Sequence, residues 1–296
     1  MSRVPVTVPT EGLVARVMAW YDESARDLPW RAPGVSPYEV LVSEVMLQQT
    51  PVARVLPVYQ SWITRWPTVA DLAAAPAGEV LREWGRLGYP RRALRLHATA
   101  KVCVAEHEGQ IPSEYAALRA LPGLGDYTAA AVATFAYRQR HPVLDTNVRR
   151  VLARVLRGEP AVGPSLLADE VRAARELLPA GADAPRWSVA VMELGALVCT
   201  ARSPRCESCP VLDLCVWAAK GWPAADVSRG PAQRFEGTDR QVRGLLMSVL
   251  RESSGTVPRS RLDAVWPLEE QRNRALEGLL ADGLVVRAGE DYALPA

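Results

Sequence analysis

The chain has 296 residues, of which 49% are hydrophobic and 23% are charged, and its formal net charge is only +2. This composition is typical of a globular protein long enough for two domains, and it excludes a disordered or strongly basic chain. No run approaches the roughly 18 apolar residues of a membrane span. The first 14 residues lack the apolar segment of a signal peptide. We therefore expect a cytoplasmic protein with no membrane partner.

Helical periodicity extends over most of the first 200 residues. Apolar residues recur at three- and four-residue spacing, and Pro and Gly separate the segments. Helices are predicted over residues 13–21, 38–47, 52–62, 79–84 and 93–104. Few segments alternate as strands do, so a mainly α domain is predicted over residues 1–220.

Glu44 lies inside the otherwise apolar stretch of the helix predicted over residues 38–47. A carboxyl group beside a buried face, as Glu44 would be here, has its pKa raised by desolvation, which suits a general acid. The alternative is an exposed glutamate on the far side of an amphipathic helix. The amides of Gln48 and Gln49 follow the apolar run. They can read or wedge between bases, or they can be ordinary surface residues.

Residues 121–128, Leu-Pro-Gly-Leu-Gly-Asp-Tyr-Thr, precede an alanine-rich helix predicted over residues 129–137. Gly123 and Gly125 can take positive φ and let the backbone approach a ligand closely. A turn that opens a helix directs its N–H groups outward, where a phosphate binds well. An ordinary corner between two helices explains the same residues equally well.

Asp145 stands before an amphipathic helix that begins with Thr146 and Asn147. The ordinary interpretation is an N-cap, the commonest role of aspartate at such a position. A capping aspartate can also take part in catalysis, because its carboxylate lies at the helix N-terminus and stays ionised.

Four of the five cysteines lie in one short segment with the spacing C-x6-C-x2-C-x5-C. Their thiolates can converge on one soft metal centre, and the spacing alone leaves zinc and an iron–sulfur cluster open. The candidate ligands are Cys199, Cys206, Cys209 and Cys215. The fifth cysteine, Cys103, has apolar neighbours, which predicts a buried structural thiol.

The last 76 residues change in character. Residues 221–238 mix Pro, Gly and polar residues, as linkers do. Residues 239–296 predict a small winged-helix-like α+β module, although other small α+β modules share this composition. Its predicted elements are helices over 241–252, 259–265 and 269–282 and a hairpin over 284–294. Arg272 and Arg274 on the third helix either contact DNA or, as the more ordinary interpretation, form a solvated face.

Taken together, these segments resemble the helix-hairpin-helix DNA glycosylases that carry a cysteine-ligated [4Fe–4S] cluster, most closely the adenine DNA glycosylases of the MutY family. The matching segments, in the family's order, are RDLPWR at 26–31, SEVMLQQT at 43–50, WGRLGY at 84–89, LPGLG at 121–125, LDTNV at 144–148 and ELGALVC at 193–199. The resemblance implies a helix-hairpin-helix glycosylase fold with two helical subdomains and a cluster loop at 199–215. It also implies a nucleoid-associated monomer that acts on double-stranded DNA containing a mismatch or lesion.

The implied reaction is hydrolysis of the N-glycosidic bond of an extruded adenine mispaired with 8-oxoguanine or guanine. Positive charge develops on the sugar as this bond breaks, so one group must protonate the base and another must stabilise the cation. By resemblance Glu44 is the acid and Asp145 the stabilising carboxylate. Tyr127 and Asn147 match residues that line the sugar side and hold Asp145 or the nucleophile.

The resemblance also assigns the residues that contact DNA. Residues that match positions enclosing the flipped base are Arg26, Trp30, Arg31 and Leu47, and the adjoining Gln48 and Thr50 are expected beside them. Gln49 and Tyr89 match residues inserted into the base stack. Gly123 and Gly125 supply hairpin amides to the phosphates. Tyr127 stands where bifunctional relatives carry a Schiff-base lysine, and Lys101 and Lys220 lie outside the motifs, which predicts a monofunctional enzyme.

Two departures from the family bear on the substrate. Val189 stands where many relatives carry an acid or amide that contacts adenine, and Thr146 replaces a usual glycine. The Nudix-like C-terminal domain that recognises 8-oxoguanine is replaced by a much shorter module. Two rival functions follow: a mismatch glycosylase for thymine or uracil opposite guanine, and a non-catalytic iron–sulfur DNA-binding sensor.

Overall fold

Fifteen α-helices account for most of the residues that the structure describes. A computed structural model of the protein describes residues 10–224 and 235–296. The helices are α1 (Thr10–Ser24), α2 (Pro37–Met46), α3 (Val52–Arg65), α4 (Val69–Ala74), α5 (Ala77–Trp84), α6 (Arg91–Glu106), α7 (Tyr115–Ala120), α8 (Asp126–Phe135), α9 (Thr146–Leu152), α10 (Ala168–Glu176), α11 (Asp183–Leu197), α12 (Val216–Ala219), α13 (Asp239–Glu252), α14 (Arg259–Asp263) and α15 (Glu269–Ala281). Short 3-10 turns lie at Pro29–Arg31, Cys206–Ser208 and Leu212–Leu214, and a π-helical turn spans Ala153–Arg157. The predicted mainly α fold is confirmed.

The chain forms two compact units, each built from several segments. Among the described residues, the first unit comprises 10–40, 113–119 and 124–224, and the second comprises 41–112, 120–123 and 235–296. The C-terminal module therefore belongs to the same unit as helices α3 to α6. The predicted boundaries at 1–220 and 239–296 stay a prediction, and residues 225–234 of the predicted linker lie outside the described residues.

Apolar faces of α1, α9 and α11 form the core of the first unit. Each helix contributes residues three or four positions apart, the spacing that lines one face of an α-helix. The buried contacts include Leu13, Val17, Val148, Val151, Val191 and Leu194. Helix α9 is thereby fixed against α11, and residues at its N-terminus have a rigid support.

Gly195 lets α11 approach α9 more closely than any other residue would. A Cβ built at this position lies 2.8 Å from the Asn147 Cβ and 2.9 Å from the Asn147 carbonyl oxygen. Such separations are shorter than van der Waals contact, and one of the atoms belongs to the backbone, which cannot move aside. The glycine of the ELGALVC segment is therefore required by packing.

Tryptophans form the centre of the second unit. Trp62 packs edge-on against Trp66 at 4.8 Å and against Trp84 at 5.8 Å between ring centroids, a preferred arrangement of aromatic pairs. Helix α6 covers α4 and α5 with a buried stripe that includes Leu96, Ala100 and Cys103. Cys103 is fully buried, and burial raises the pKa of its thiol to about 11, so the predicted structural thiol is confirmed.

Helices α13 to α15 and a two-stranded hairpin form the C-terminal module. Strand β1 (Val286–Ala288) pairs antiparallel with β2 (Asp291–Ala293), with Arg287 opposite Tyr292. Val257 adds a bridge to Tyr292 on the other side of β2. These are the elements predicted for a winged-helix-like module.

Contacts with α5 anchor this module within the second unit. The Arg82 guanidinium donates to the carbonyl oxygens of Ser253 at 2.6 Å and Arg251 at 3.3 Å. Gly78 lies so close to the C-terminal residues that a Cβ there would be 2.8 Å from the Pro295 carbonyl oxygen.

The predicted solvated face of α15 is wrong at one of its two arginines. Arg272 is buried, and it donates to Asp263 at 2.7 Å and to the Trp266 carbonyl oxygen at 2.6 Å. Its side chain fills the space between α14 and α15. Arg274 is exposed and pairs with Asp239 at 2.7 Å.

None of the helices in residues 10–224 and 235–296 combines the length and the apolar character needed to cross a bilayer.

Gly195→Ala is expected to lower the free energy of unfolding by about 1–3 kcal/mol, the usual cost of overpacking a core. Gly244→Ala in α13 is the matched control. Nothing lies within 4 Å of a Cβ there, so the helix should gain about 0.5–1 kcal/mol. Thermal unfolding midpoints of both variants, compared with wild type, measure the two shifts. Equal shifts in the same direction would contradict the close-packing account.

Candidate functional site

Asp145 caps α9, and its carboxylate is held by two donors. The Val148 backbone N–H donates to Oδ1 at 2.7 Å, and the Asn147 side-chain amide donates to Oδ2 at 2.8 Å. The capping interpretation is therefore correct. It is compatible with a catalytic role as well, because both donors also fix the direction of the carboxylate. The predicted pairing of Asn147 with Asp145 is present.

Burial raises the pKa of Asp145 above its ordinary value, and the hydrogen bonds from Val148 and Asn147 and the charge of Arg150 oppose this only in part. The expectation that this carboxylate stays ionised at the helix N-terminus stays a prediction, because burial and the hydrogen bonds shift its pKa in opposite directions. Removal from water is the larger effect because the carboxylate lies against the first unit's core. A positive charge close to the Asp145 carboxyl group would lower its pKa again.

Arg150 connects this cap to the cysteine segment. Its Nη2 donates to the Asn147 side-chain oxygen and to the Gly195 carbonyl oxygen, each at 2.7 Å, and its Nε donates to the Cys199 carbonyl oxygen at 2.7 Å. The guanidinium is buried. A continuous chain of hydrogen bonds thus runs from the Asp145 carboxylate through Asn147 and Arg150 to Cys199, the first of the four clustered cysteines.

The four clustered cysteines line one cavity in the first unit. Its other walls are apolar, and they come from Val151, Val155, Leu194, Val198, Pro204, Leu212 and Trp217. Burial, with the charges of the other three thiols adding to it, raises the pKa of Cys209 to about 11. Thiolates crowded in such a cavity require a cationic centre, so the donor set fits an iron–sulfur cluster. In the described residues no three His, Cys, Asp or Glu side chains are arranged to hold a single metal ion.

Arg154, in the π-helical turn, contacts two of the residues that line this cavity, Cys199 and Trp217. It donates to the Cys199 Sγ at 3.4 Å and to the Thr200 carbonyl oxygen at 2.7 Å, and its Cζ lies 4.4 Å from the Trp217 ring centroid. π-Helical turns often mark functional positions. The wider turn here places a buried cation beside a ligand sulfur.

Glu44 lies in the second unit, in the last turns of α2, and is buried with only 7% of its surface exposed. The neighbouring Val42, Val45 and Met46 are buried as well. The buried interpretation of Glu44 is therefore correct and the exposed one is wrong. Leu47 and Gln48, which follow α2, are half-buried.

Arg92 ties the segment after α2 to the turn before α6. Its Nη1 donates to the carbonyl oxygens of Val45 at 2.9 Å and Gln48 at 2.5 Å. Its Nη2 donates to the Thr50 hydroxyl and to the Gly88 carbonyl oxygen, each at 3.0 Å. Burial lowers the pKa of Arg92 to about 10, so the group keeps its charge at neutral pH.

Two exposed residues lie on the loops that Arg92 joins, and both have unusual backbone conformations. Gln49 has φ 55° and Tyr89 has φ 47°, in the left-handed region that a side chain makes costly. Such strain persists where the surroundings enforce it, often at binding sites. Both residues were predicted to enter the base stack, and Thr50, also predicted at the DNA, is instead buried between the two loops.

The turn at residues 121–125 needs glycine at only one of its two positions. Gly123 has φ 79°, and a Cβ there would lie 2.7 Å from the Arg95 Cβ. Gly125 has φ −92° and caps α8, so it does not use the positive φ that glycine allows. Both glycines are exposed, and Tyr127 lies half-buried in the first turn of α8.

A buried carboxylate organises the segment that contains Arg26 and Arg31. Glu193 has no exposed surface, and it accepts from Arg26 Nε at 2.6 Å and from Arg31 Nη2 at 3.0 Å. Trp30, which lies between the two arginines in the sequence, is buried. Arg31 Nη1 is buried and lacks a hydrogen-bond partner among the described residues, which leaves one donor available to a ligand.

Sequence reasoning missed the residues that join these segments. Arg92, Arg150, Arg154 and Glu193 are all buried ionic residues. Their partners are mostly backbone carbonyl oxygens far away in the sequence, so spacing gave no signal. Placement within or next to the matched motifs was the one available hint.

Comparison with known proteins places these features in a family. Residues 42–174 match the HhH-GPD superfamily of base excision DNA repair proteins, and residues 199–215 match the iron-sulfur binding domain of endonuclease III. The chain is 52% identical over 292 residues to the adenine DNA glycosylase of Mycobacterium tuberculosis, an alignment that covers 98% of this chain and 96% of the relative. The chain belongs to the adenine DNA glycosylase family. It is therefore a base-excision-repair enzyme whose cysteine loop carries a [4Fe–4S] cluster.

Other relatives agree. The adenine DNA glycosylase of Mycolicibacterium smegmatis is 54% identical over 275 residues, covering 93% of this chain and 92% of the relative. A thermostable thymine-DNA glycosylase superposes with a TM-score of 0.64 at 26% identity, over 71% of this chain and 97% of that one. Endonuclease III in a covalent DNA complex superposes with a TM-score of 0.62 at 22% identity, over 73% and 100% of the two chains. These structural neighbours confirm the fold.

Glu193 gives a prediction for pH dependence. Burial alone would raise its pKa, but the hydrogen bonds and charges of Arg26 and Arg31 outweigh burial and bring the pKa from 4.5 to about 2. A carboxyl group whose pKa is lowered by folding stabilises the fold above its unfolded pKa, and this contribution disappears as the pH falls from 4.5 towards 2.

Glu193→Gln should therefore lower the free energy of unfolding by about 3 kcal/mol at pH 7, near the lower end for breaking a buried ion pair. The gap to wild type should stay constant down to about pH 5 and shrink below pH 4.5. Urea unfolding between pH 7 and 3.5 measures it, with Glu176→Gln on the exposed face of α10 as the control. A gap that widens as the pH falls would refute the assignment.

Proposed function

We propose that the protein is a monofunctional glycosylase that hydrolyses the N-glycosidic bond of adenine paired with 8-oxoguanine or guanine in duplex DNA. The observation that carries the proposal is the burial of Glu44 in α2 within the SEVMLQQT segment. High identity to proteins named adenine DNA glycosylase supports the choice of base. We also propose that it acts as a cytoplasmic, nucleoid-associated monomer.

Glu44 is proposed as the general acid. The leaving adenine is a poor leaving group until a ring nitrogen is protonated, so the enzyme must present a protonated carboxyl group. A carboxyl group removed from water holds its proton more readily than an exposed one. After the bond breaks, the same group as a carboxylate can accept a proton from the attacking water.

Asp145 is proposed as the carboxylate that stabilises the positive charge developing on the sugar. Its two oxygens are already oriented by the Val148 N–H and the Asn147 amide, so little reorganisation is needed when the charge appears. Burial, which raises the pKa of this group, also strengthens its attraction to a nearby cation. Asn147 thus has a positioning role.

The monofunctional assignment is supported by the two lysines of the chain. Strand cleavage through a Schiff base needs an amine at the reacting sugar, and Tyr127 stands where bifunctional relatives carry it. Lys220 donates to the Arg157 carbonyl oxygen at 2.9 Å, and Lys101 is exposed on α6. Neither lies in the matched motifs.

Contacts with DNA are proposed for the exposed parts of both units. Gln49 and Tyr89 present a polar and an aromatic side chain from strained backbone positions, as residues that enter a base stack would. The amides around Gly123 and Gly125 are proposed to bind phosphates. The unpartnered Arg31 Nη1, with Arg26 and Trp30 beside it, is proposed to hydrogen-bond the extruded base.

The [4Fe–4S] cluster, held by Cys199, Cys206, Cys209 and Cys215, would supply a rigid cross-link rather than a reacting group. The Cys199 carbonyl oxygen accepts from Arg150, and Arg150 contacts Asn147, which donates to Asp145, so holding Cys199 in place would help these residues to orient Asp145. Exposed Arg202 and Arg205 in the same loop can face the DNA backbone.

Single-turnover excision on duplexes containing A·8-oxoG, A·G, T·G and U·G tests the function. Wild type should release adenine from the first two, and Glu44→Gln and Asp145→Asn should each slow release by roughly 100-fold or more while binding the duplex as before. Alkali cleavage of labelled strands measures the abasic product.

Matched controls are Glu39→Gln, on the same helix as Glu44, and Asp183→Asn, an exposed aspartate in the first turn of α11. Both should keep wild-type rates. Faster product from T·G or U·G would establish the rival mismatch specificity. Binding without product from any duplex would establish a sensor, and full activity in both catalytic variants would refute the mechanism.

A further inference from the structure

The ring of Tyr89 is contacted by a cation from the C-terminal module. The Arg240 Cζ, at the start of α13, lies 4.8 Å from the centroid of the Tyr89 ring. Arg92 from α6 approaches the same ring at 5.6 Å. All three residues belong to the second unit. Tyr89 nevertheless remains 47% exposed, so the phenol is held by cations while part of it stays open to solvent.

The side chains of Arg92 and Arg240 differ in how much their other contacts restrict them. Arg92 is buried, and its Nη1 and Nη2 atoms donate to the carbonyl oxygens and hydroxyl described above. It therefore fixes the backbone of the Gly88–Tyr89 turn. Arg240 is exposed, and among the described residues its side chain has no ion pair. Its guanidinium is thus available to the Tyr89 ring alone.

Ion pairs hold the module that carries Arg240 close to the segment that carries Tyr89. Asp282, which follows α15, pairs with Arg91 of α6 at 3.2 Å and also with Arg243 of α13. Arg91 lies two residues after Tyr89, and Arg243 lies three residues after Arg240. One carboxylate therefore ties the segment that carries the tyrosine to the helix that carries the arginine.

We infer that Arg240 is a positioning residue for Tyr89, which makes the C-terminal module part of the apparatus that engages the mispair. This inference rests on the proposed insertion of Tyr89 into the base stack. An exposed tyrosine has several rotamers, and ordering it costs conformational entropy at each encounter with DNA. A cation stacked on the ring restricts those rotamers beforehand, so that less ordering remains when the ring enters the duplex.

The test measures unstacking directly, with 2-aminopurine placed next to the mispaired adenine. Insertion of a ring beside the probe should raise its fluorescence. Arg240→Gln should lower this response and slow excision at subsaturating enzyme by about two- to fivefold. Arg240→Lys, which keeps a cation, should restore part of both. Arg287→Gln is the control, since Arg287 stacks on Tyr292 at 5.7 Å in the same module and its loss removes an equal charge.

A double-mutant cycle separates positioning from direct contact with DNA. In a Tyr89→Leu background, Arg240→Gln should have no further effect. Equal effects of Arg240→Gln in both backgrounds, with a weaker salt dependence of binding to undamaged duplex, would identify a phosphate contact and overturn the inference. Wild-type behaviour of Arg240→Gln would overturn it as well.

Failure of this inference can be told from failure of the proposed function. If wild type releases no base from any duplex, the catalytic proposal fails, but the fluorescence response still reports on Arg240 and Tyr89. If wild type is active and Tyr89→Leu is not impaired, the insertion of Tyr89 is refuted, and the inference with it. Thermal unfolding midpoints close to that of wild type would show that each variant is folded.

Discussion

The hydrogen bonds of the buried Arg150 guanidinium join the segments of the first unit on which the proposed role of Asp145 depends. It joins the Asn147 side chain, the Gly195 carbonyl oxygen and the Cys199 carbonyl oxygen. Those three partners lie on α9, on α11 and at the start of the cysteine loop. Because leaving a buried donor without a partner is costly, these hydrogen bonds favour one arrangement of the three segments. The orientation of Asp145 is thereby coupled to the loop that holds the cluster.

In the second unit, a buried arginine likewise joins segments that are distant in the sequence. Arg92 satisfies carbonyl oxygens from the end of α2 and from the turn before α6, and so fixes the loops that carry Gln49 and Tyr89. Loops that bind a ligand gain precision when a rigid scaffold determines their shape. Buried cations paired with carbonyl oxygens replace regular hydrogen bonding where the helices end, and they leave the exposed side chains of these loops available for the proposed contacts with DNA.

The sequence predicts local features well and long-range partners poorly. Helix positions, the burial of Glu44 and the capping role of Asp145 follow from periodicity and position, because each depends on nearby residues. The pKa direction of Asp145 and the burial of Arg272 do not, because both depend on elements distant in the chain. Gly125 shows the limit of reasoning from residue type, since glycine allows positive φ without requiring it. The contact between Arg240 and Tyr89, 151 positions apart in numbering, has no signature in the sequence at all.

Arg150 connects Asp145, through Asn147, to the cluster loop. The most direct measurement is the single-turnover rate of adenine release from an A·8-oxoG duplex by Arg150→Gln protein, compared with wild type at equal iron content. We expect a rate at least about tenfold lower, because a misoriented carboxylate stabilises the transition state poorly even when the cluster is present. A rate equal to that of wild type at equal iron content would contradict it.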